Sequence, residues 1–121
     1  MKLAADVAVA IVAALHLLFL VLEMFLWKTP TGRRTFGLDA DFAERSAPLA
    51  ANQGLYNGFL AAGLIWGLIS GDAGFSIRVF FLVCVVIAGV FGGFTAKRSI
   101  LWIQALPGAI ALALVLASRG V

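Results

Sequence analysis

Residues 3–27, LAADVAVAIVAALHLLFLVLEMFLW, decide the fold of this protein. The run is apolar almost throughout, and a helix needs about 20 such residues to cross the hydrocarbon core of a bilayer. In the whole chain of 121 residues, 63% of the residues are hydrophobic and only 12% are charged. A soluble domain of this size has too little polar surface to cover so much apolar area. We therefore expect one integral membrane domain over residues 1–121, with the lipid bilayer as its first partner.

Three later segments are also long and apolar enough to span a bilayer. The predicted spans are about 3–27, 48–70, 75–96 and 100–118. The first is expected to be an uncleaved anchor. Two of the three connections are short, which makes consecutive helices antiparallel neighbours. The predicted fold class is an all-α polytopic membrane protein, an antiparallel four-transmembrane-helix bundle.

The long connection, 28–47, contains residues that are typical of helix ends and helix starts. Thr29 and Pro30 are expected to stop the first helix, and Gly32 and Gly37 to break the segment that follows. Asp41 and Glu44 have capping-box spacing, which predicts a short surface helix before the second span.

The positive charges predict the orientation. Cytoplasmic connections carry an excess of Lys and Arg. The first and third connections hold six of the nine, and the opposite side holds three. We therefore expect a multi-pass protein of the bacterial inner membrane, with 28–47 cytoplasmic and both termini outside. The six are Lys28, Arg33, Arg34, Arg45, Lys97 and Arg98, and the three are Lys2, Arg78 and Arg119.

Two ionisable residues interrupt the first span. His16 and Glu23 are seven residues apart and thus share one helix face, about 10 Å from each other along the axis. An acidic residue at mid-membrane costs about 2.5–3.5 kcal/mol even on lenient scales. This face should therefore point into the bundle. Asp6 and Arg78, near helix ends, are expected to face headgroups or to snorkel.

The second span opens with ANQGLYNG, residues 51–58, whose polar side chains pair at i,i+4. Counted from the cytoplasmic side, Asn52 and Gln53 lie at the depth of Glu23, and so does Gln104 on the fourth span. Pro107 removes the N–H that would bond the Ile103 carbonyl, and a bent helix beside polar groups often lines a cavity. The predicted ligand-binding set is His16, Glu23, Asn52, Gln53, Tyr56, Asn57 and Gln104.

Composition argues against several classes of site. The single cysteine, Cys84, allows no intramolecular disulfide, and one Cys with one His cannot form a His/Cys zinc cage. The sequence has no basic stripe with interleaved aromatic residues, so we expect no nucleic-acid partner. A haem on His16 would lack a second axial histidine. We expect no metal and no cofactor.

Three stretches resemble a family of uncharacterised small bacterial integral membrane proteins, a domain-of-unknown-function family. They are LHLLFLVLEMFLW (15–27), LAANQGLYNGFLAAGL (49–64) and GGFTAKRSILWIQALPG (92–108), and the similarity covers nearly the whole chain. The resemblance implies four membrane helices in about 120 residues and no settled activity. Small multidrug-resistance transporters are similar in architecture only, since Glu23 is nearer its helix end than their membrane glutamate.

Three functions fit this pattern. The first is binding of a small ligand in a polar intramembrane pocket, extending to proton-coupled transport, with Glu23 as the exchanging carboxylate. The second is an accessory or scaffolding subunit, in which Glu23 and His16 only hold helices together. The third is an acid–base enzyme on a lipid-soluble substrate, although no nucleophile elbow or phosphate loop is present and no catalytic residue is assigned. We favour a non-enzyme. The pairs Gly54/Gly58 and Gly89/Gly93 fit either packing within the chain or a homodimer.

Overall fold

The computed structural model describes residues 2–120, and every regular element in this range is helical. The all-α prediction is therefore confirmed. A 3-10 turn at Gly71–Ala73 precedes the fourth helix, and a π-helical turn at Leu101–Ala105 leads directly into the fifth. The helices are α1 (Lys2–Met24), α2 (Pro30–Phe36), α3 (Ala40–Ile69), α4 (Gly74–Thr95) and α5 (Leu106–Gly120).

Three helical segments are long and apolar enough to cross a membrane: Lys2–Met24, Gly71–Thr95 and Leu101–Arg119. They coincide with the first, third and fourth predicted spans. The helix that holds the second, α3, has 30 residues but is not among the three. Its first half carries amide side chains and charges, which lower its hydropathy. The molecule is thus helical with three apolar membrane-competent helices, and a fourth span stays a prediction.

The segment after α1 is more helical than the sequence predicts. α1 ends at Met24, before the stop predicted at Thr29 and Pro30. Thr29 instead caps α2, because its hydroxyl accepts a hydrogen bond from Gly32 N at 3.2 Å, with Pro30 in the first turn. The predicted break at Gly32 is wrong, since this residue lies inside α2, where a side chain would overlap the Leu26 carbonyl. The break occurs at Gly37, whose φ of 68° is left-handed.

The separate surface helix predicted at Asp41–Glu44 is also a wrong prediction, because these residues form the first turns of α3. The cap is Asp39, whose Oδ1 accepts from Phe42 N at 2.7 Å. Pro48 lies within α3 rather than at its start. A proline there leaves the Glu44 carbonyl without its helical partner, and both residues are exposed, so that water can satisfy it.

The chain forms two compact units, and α1 and α3 each continue from one to the other. The first unit contains residues 1–14 and 60–121, and the second contains 15–59. The first unit has the hydrophobic core, to which four helices contribute. Its buried members are Ala5, Val9, Val12, Ala13, Leu64, Leu82, Val85, Ala111 and Val115.

Close approach of α4 to the π-helical turn defines one side of the first unit. A side chain at Gly89 would place its Cβ only 2.5 Å from Ala105 N and 2.7 Å from Ala105 Cα. The turn itself is closed by a bond from Leu106 N–H to Leu101 O, five residues apart, just before Pro107. The predicted distortion at Pro107 is thus a widened helical turn, and Gly89 packs within the chain.

Candidate functional site

A hydrogen bond between two helices marks the candidate site, which lies within residues 15–59. Glu23 is half-buried on the last turn of α1, and Asn57 of α3 donates from Nδ2 to its Oε1 at 2.5 Å. The sequence predicts that this carboxylate meets the polar start of the second span, and it does. The amide that meets it is Asn57, five residues beyond the predicted Asn52.

Two glycines set this register. A Cβ on Gly54 would lie 2.6 Å from Met24 Cγ and 3.1 Å from Glu23 Cβ, and one on Gly58 would lie 2.7 Å from Leu20 Cδ1. The α3 backbone therefore lies directly against the last turns of α1. Asn57 immediately precedes Gly58, so it lies beside the contact of Gly58 with Leu20, and its amide reaches the Glu23 carboxylate.

Further polar contacts follow beyond Glu23, which the sequence did not predict. Trp27 Nε1 donates to Ser46 Oγ at 2.9 Å, and the Trp27 ring lies 4.8 Å from that of Phe36. Lys28 and Glu44 form an ion pair at 3.6 Å, but both side chains are largely exposed and the pair contributes little to stability. These contacts connect the residues that follow α1 to α2 and to the first turns of α3.

His16 is fully buried, with 0% of its surface exposed. Its ring meets that of Phe19 edge-on, with centroids 5.2 Å apart. The predicted inward orientation of this histidine is therefore confirmed. It lies about 10 Å from Glu23 along the helix axis, which is too far for a direct hydrogen bond between the two.

The other predicted residues of α3 point outward from the chain. Asn52 and Gln53 are exposed, and Tyr56 is 51% exposed, with its ring 5.9 Å from that of Phe59. They do not join Glu23 and Asn57 in one layer, because the helix turns them away from α1. Sequence periodicity places these residues and Asn57 on a common arc of α3. The contacts of Gly54 and Gly58 determine that the Asn57 edge of this arc faces α1.

Gln104 belongs to the other compact unit, where it is half-buried on the π-helical turn. Its predicted place in a layer with Glu23 stays a prediction. Cys84 is a free, half-buried thiol in α4. Among residues 2–120, no group of three or more His, Cys, Asp or Glu side chains is arranged to hold a metal ion.

Comparison with known proteins places the chain in a family. The profile of the family described as "Protein of unknown function (DUF1304)" matches residues 10–116. The "Uncharacterized protein YpaA" of Lactococcus lactis subsp. lactis (strain IL1403) is 28% identical over 101 residues, which cover 81% of this chain and 85% of that protein. No solved structure matches the chain significantly. The chain is therefore a member of DUF1304, a family whose function is unknown and whose resemblance was already visible in the sequence.

Proposed function

We propose that this membrane protein binds a small ligand that donates a hydrogen bond or a positive charge to the Glu23 carboxylate. The observation that supports this is the Glu23–Asn57 hydrogen bond, which holds a half-buried acid at the end of a largely apolar helix. A polar side chain in such a segment is costly, and it is retained in membrane proteins chiefly at ligand or ion sites.

The geometry indicates which ligand chemistry suits the site. Asn57 occupies Oε1 and thereby fixes the orientation of the carboxylate, while Oε2 offers a second acceptor. Leu20 and Met24, which pack on α3 beside it, supply apolar contact. A ligand with one cationic or donor group on an apolar body therefore fits better than a fully hydrated ion, whose water shell this site could not replace.

Transport is the extension of this proposal. A carboxylate that accepts either a proton or a cationic ligand at one position makes the two compete, and this competition is the basis of exchange across a membrane. The buried His16, farther along the same helix, is the second ionisable group that such a path would use.

Binding tests the proposal. The purified protein in maltoside micelles is titrated with tetraphenylphosphonium, a lipophilic cation, and with methylammonium. We expect saturable binding of at least one probe, lost in Glu23→Gln. The matched control is Glu44→Gln, which removes an exposed carboxylate from a surface ion pair. Equal affinities in wild type and Glu23→Gln would contradict the proposal.

Uptake of the bound probe into proteoliposomes under an imposed proton gradient then tests transport.

An accessory role is the second candidate, and a different observation favours it. The outward face of α3 presents Asn52, Gln53 and Tyr56, and amides that face lipid lack hydrogen-bond partners. A second chain, either another copy or a different subunit, would supply them. This role predicts that Asn52→Leu and Gln53→Leu shift the mass of the detergent-solubilised particle to that of a monomer, while Glu23→Gln leaves it unchanged. A monomeric wild-type particle would exclude a stable homo-oligomer.

A further inference from the structure

A charged cavity lies in the first compact unit, apart from Glu23. It has a volume of about 320 Å³ and is lined by Lys2, Asp72, Phe75, Arg78, Ser118 and Arg119. Three of these residues are cationic and one is acidic, so its walls carry an excess of positive charge. They come from the first residue of α1, the start of α4 with its preceding turn, and the end of α5.

Arg78 is the buried member of the set. The sequence predicts that this arginine faces headgroups or snorkels. It does not snorkel, because only 8% of the residue is exposed. Its Nη1 donates to the carbonyl of Gly67 at 2.7 Å and to that of Gly71 at 3.4 Å. Glycines make the space for this side chain. A Cβ on Gly67 would lie 2.5 Å from Arg78 Cγ, and a Cβ on Gly74 would lie 2.8 Å from Nη1. The guanidinium is therefore held in place by backbone.

Within residues 2–120, no ion pair joins Arg78 to a carboxylate. The ion pairs recorded among residues 2–120 are Lys28–Glu44 and Arg45–Asp41, and Asp72 is not within ion-pair distance of the arginines in this range. Buried charges in proteins are ordinarily paired, because desolvation penalises an unpaired one. An anion that enters the cavity would supply the missing countercharge.

Arg119 lines the cavity and stacks on an aromatic ring of the same lining. Its guanidinium carbon lies 4.3 Å from the centroid of Phe75, a cation–π contact that orients the planar group. The Ser118 hydroxyl donates to the Val115 carbonyl at 2.7 Å, so its proton is committed to its own helix. The anion-binding donors are therefore the two guanidinium groups and the Lys2 ammonium.

The position of the cavity indicates where the anion comes from. Lys2, Asp72 and Arg119 lie at the ends of the three segments that are apolar enough to cross a membrane. Helix ends of this kind lie at the depth of lipid headgroups, where phosphate is abundant. Guanidinium groups match the geometry of phosphate oxygens with paired N–H donors. A volume of about 320 Å³ is at the lower end of small-molecule sites and exceeds what a bare phosphate needs.

We propose that this cavity binds a phosphate ester, supplied either by the headgroup of an anionic lipid or by a soluble phosphorylated metabolite. The wild-type protein in maltoside micelles is titrated with glycerol 3-phosphate and inorganic phosphate by calorimetry, and retention of dioleoylphosphatidylglycerol is measured by native mass spectrometry. Binding of the lipid alone assigns the site to a headgroup. Binding of glycerol 3-phosphate as well assigns it to phosphate esters in general. If none of the three probes binds, the proposal is overturned.

Two variants and a matched control test whether the cavity is responsible. Arg119→Gln changes an exposed residue, and we expect it to weaken binding about 10- to 100-fold, the effect of losing hydrogen bonds from a charged donor. Asp72→Asn should strengthen binding, because it removes an acidic side chain from the lining. The control is Arg98→Gln, since Arg98 is likewise exposed and lies over an aromatic ring, 5.0 Å from that of Phe94, but outside the cavity. Equal losses of affinity in Arg98→Gln and Arg119→Gln would mean that the probes respond only to the overall surface charge, and would overturn the proposal.

Discussion

Replacement of Gly89 by alanine tests the close contact between α4 and the π-helical turn. The added Cβ would lie 2.5 Å from Ala105 N, 2.7 Å from Ala105 Cα and 2.8 Å from Ala105 Cβ. Two of these atoms are backbone and cannot move alone, so α4 and the π-helical turn must separate. Overpacking of this kind costs about 1–3 kcal/mol, whereas alanine in place of glycine favours a helix interior by about 1 kcal/mol. The variant should therefore be destabilised by up to about 2 kcal/mol.

Gly92→Ala is the matched control, on the same helix and nearly one turn away. Its added Cβ would meet only the Ile100 side chain, at 3.3 Å from Cγ2 and 3.4 Å from Cδ1, and this side chain can adjust. It should gain up to about 1 kcal/mol from helix propensity. The difference between the two variants isolates the overlap and should be about 1–3 kcal/mol. Equilibrium unfolding by dodecyl sulfate in mixed micelles, followed by circular dichroism, measures both. Equal stability of the two variants would refute the close packing of α4 on the turn.

Three further changes probe the second unit. In a double-mutant cycle of Glu23→Gln and Asn57→Leu, the coupling free energy should be about 0.6 kcal/mol and at most about 2 kcal/mol, as for other hydrogen bonds between membrane helices; a value of zero argues against the bond. Asp39→Ala should cost about 1 kcal/mol by removing the cap of α3 and should speed hydrogen exchange in its first turn, and unchanged exchange would speak against this cap. Gly54→Ala should be less stable than Gly58→Ala in the same unfolding assay, because it meets Met24 Cγ and Glu23 Cβ rather than the end of a leucine side chain; the reverse order would contradict the register.

The apolar helices could be predicted from the sequence because their signal is local. Runs of apolar residues of membrane-spanning length gave α1, α4 and α5 nearly as the structure has them. The first turns of α3 were predicted as a separate short helix, because they are mostly polar and hydropathy does not show that they continue into the apolar half of α3. The cap at Asp39 was available in the sequence but was assigned to Asp41 instead.

The identity of the partner of Glu23 depends on information that periodicity does not contain. Spacing placed several amides on one arc of α3, and depth alone favoured Asn52. The close approach at Gly54 and Gly58 shifts the contact by about one turn, to Asn57. The contact of a given glycine pair with a given helix depends on the tertiary structure. A single sequence does not determine it.

The burial of Arg78 illustrates the same limit. An arginine near a helix end ordinarily extends toward water or headgroups. Here Gly67, which belongs to a different helix, leaves the space that the side chain fills. Gly74, one turn before Arg78, is visible in the sequence, but its contact with the guanidinium is not. Charged residues at helix ends therefore need a structure before they can be assigned to the surface.

Site-resolved NMR tests most directly whether the Glu23 carboxylate, oriented by Asn57, contacts a ligand. The side-chain amide signals of Asn57 and Asn52 are assigned by substitution and followed while tetraphenylphosphonium is added to the protein in micelles. We expect a saturable shift of the Asn57 signal that disappears in Glu23→Gln, with the Asn52 signal unchanged. Saturable binding of the probe that leaves the Asn57 signal in place would contradict it.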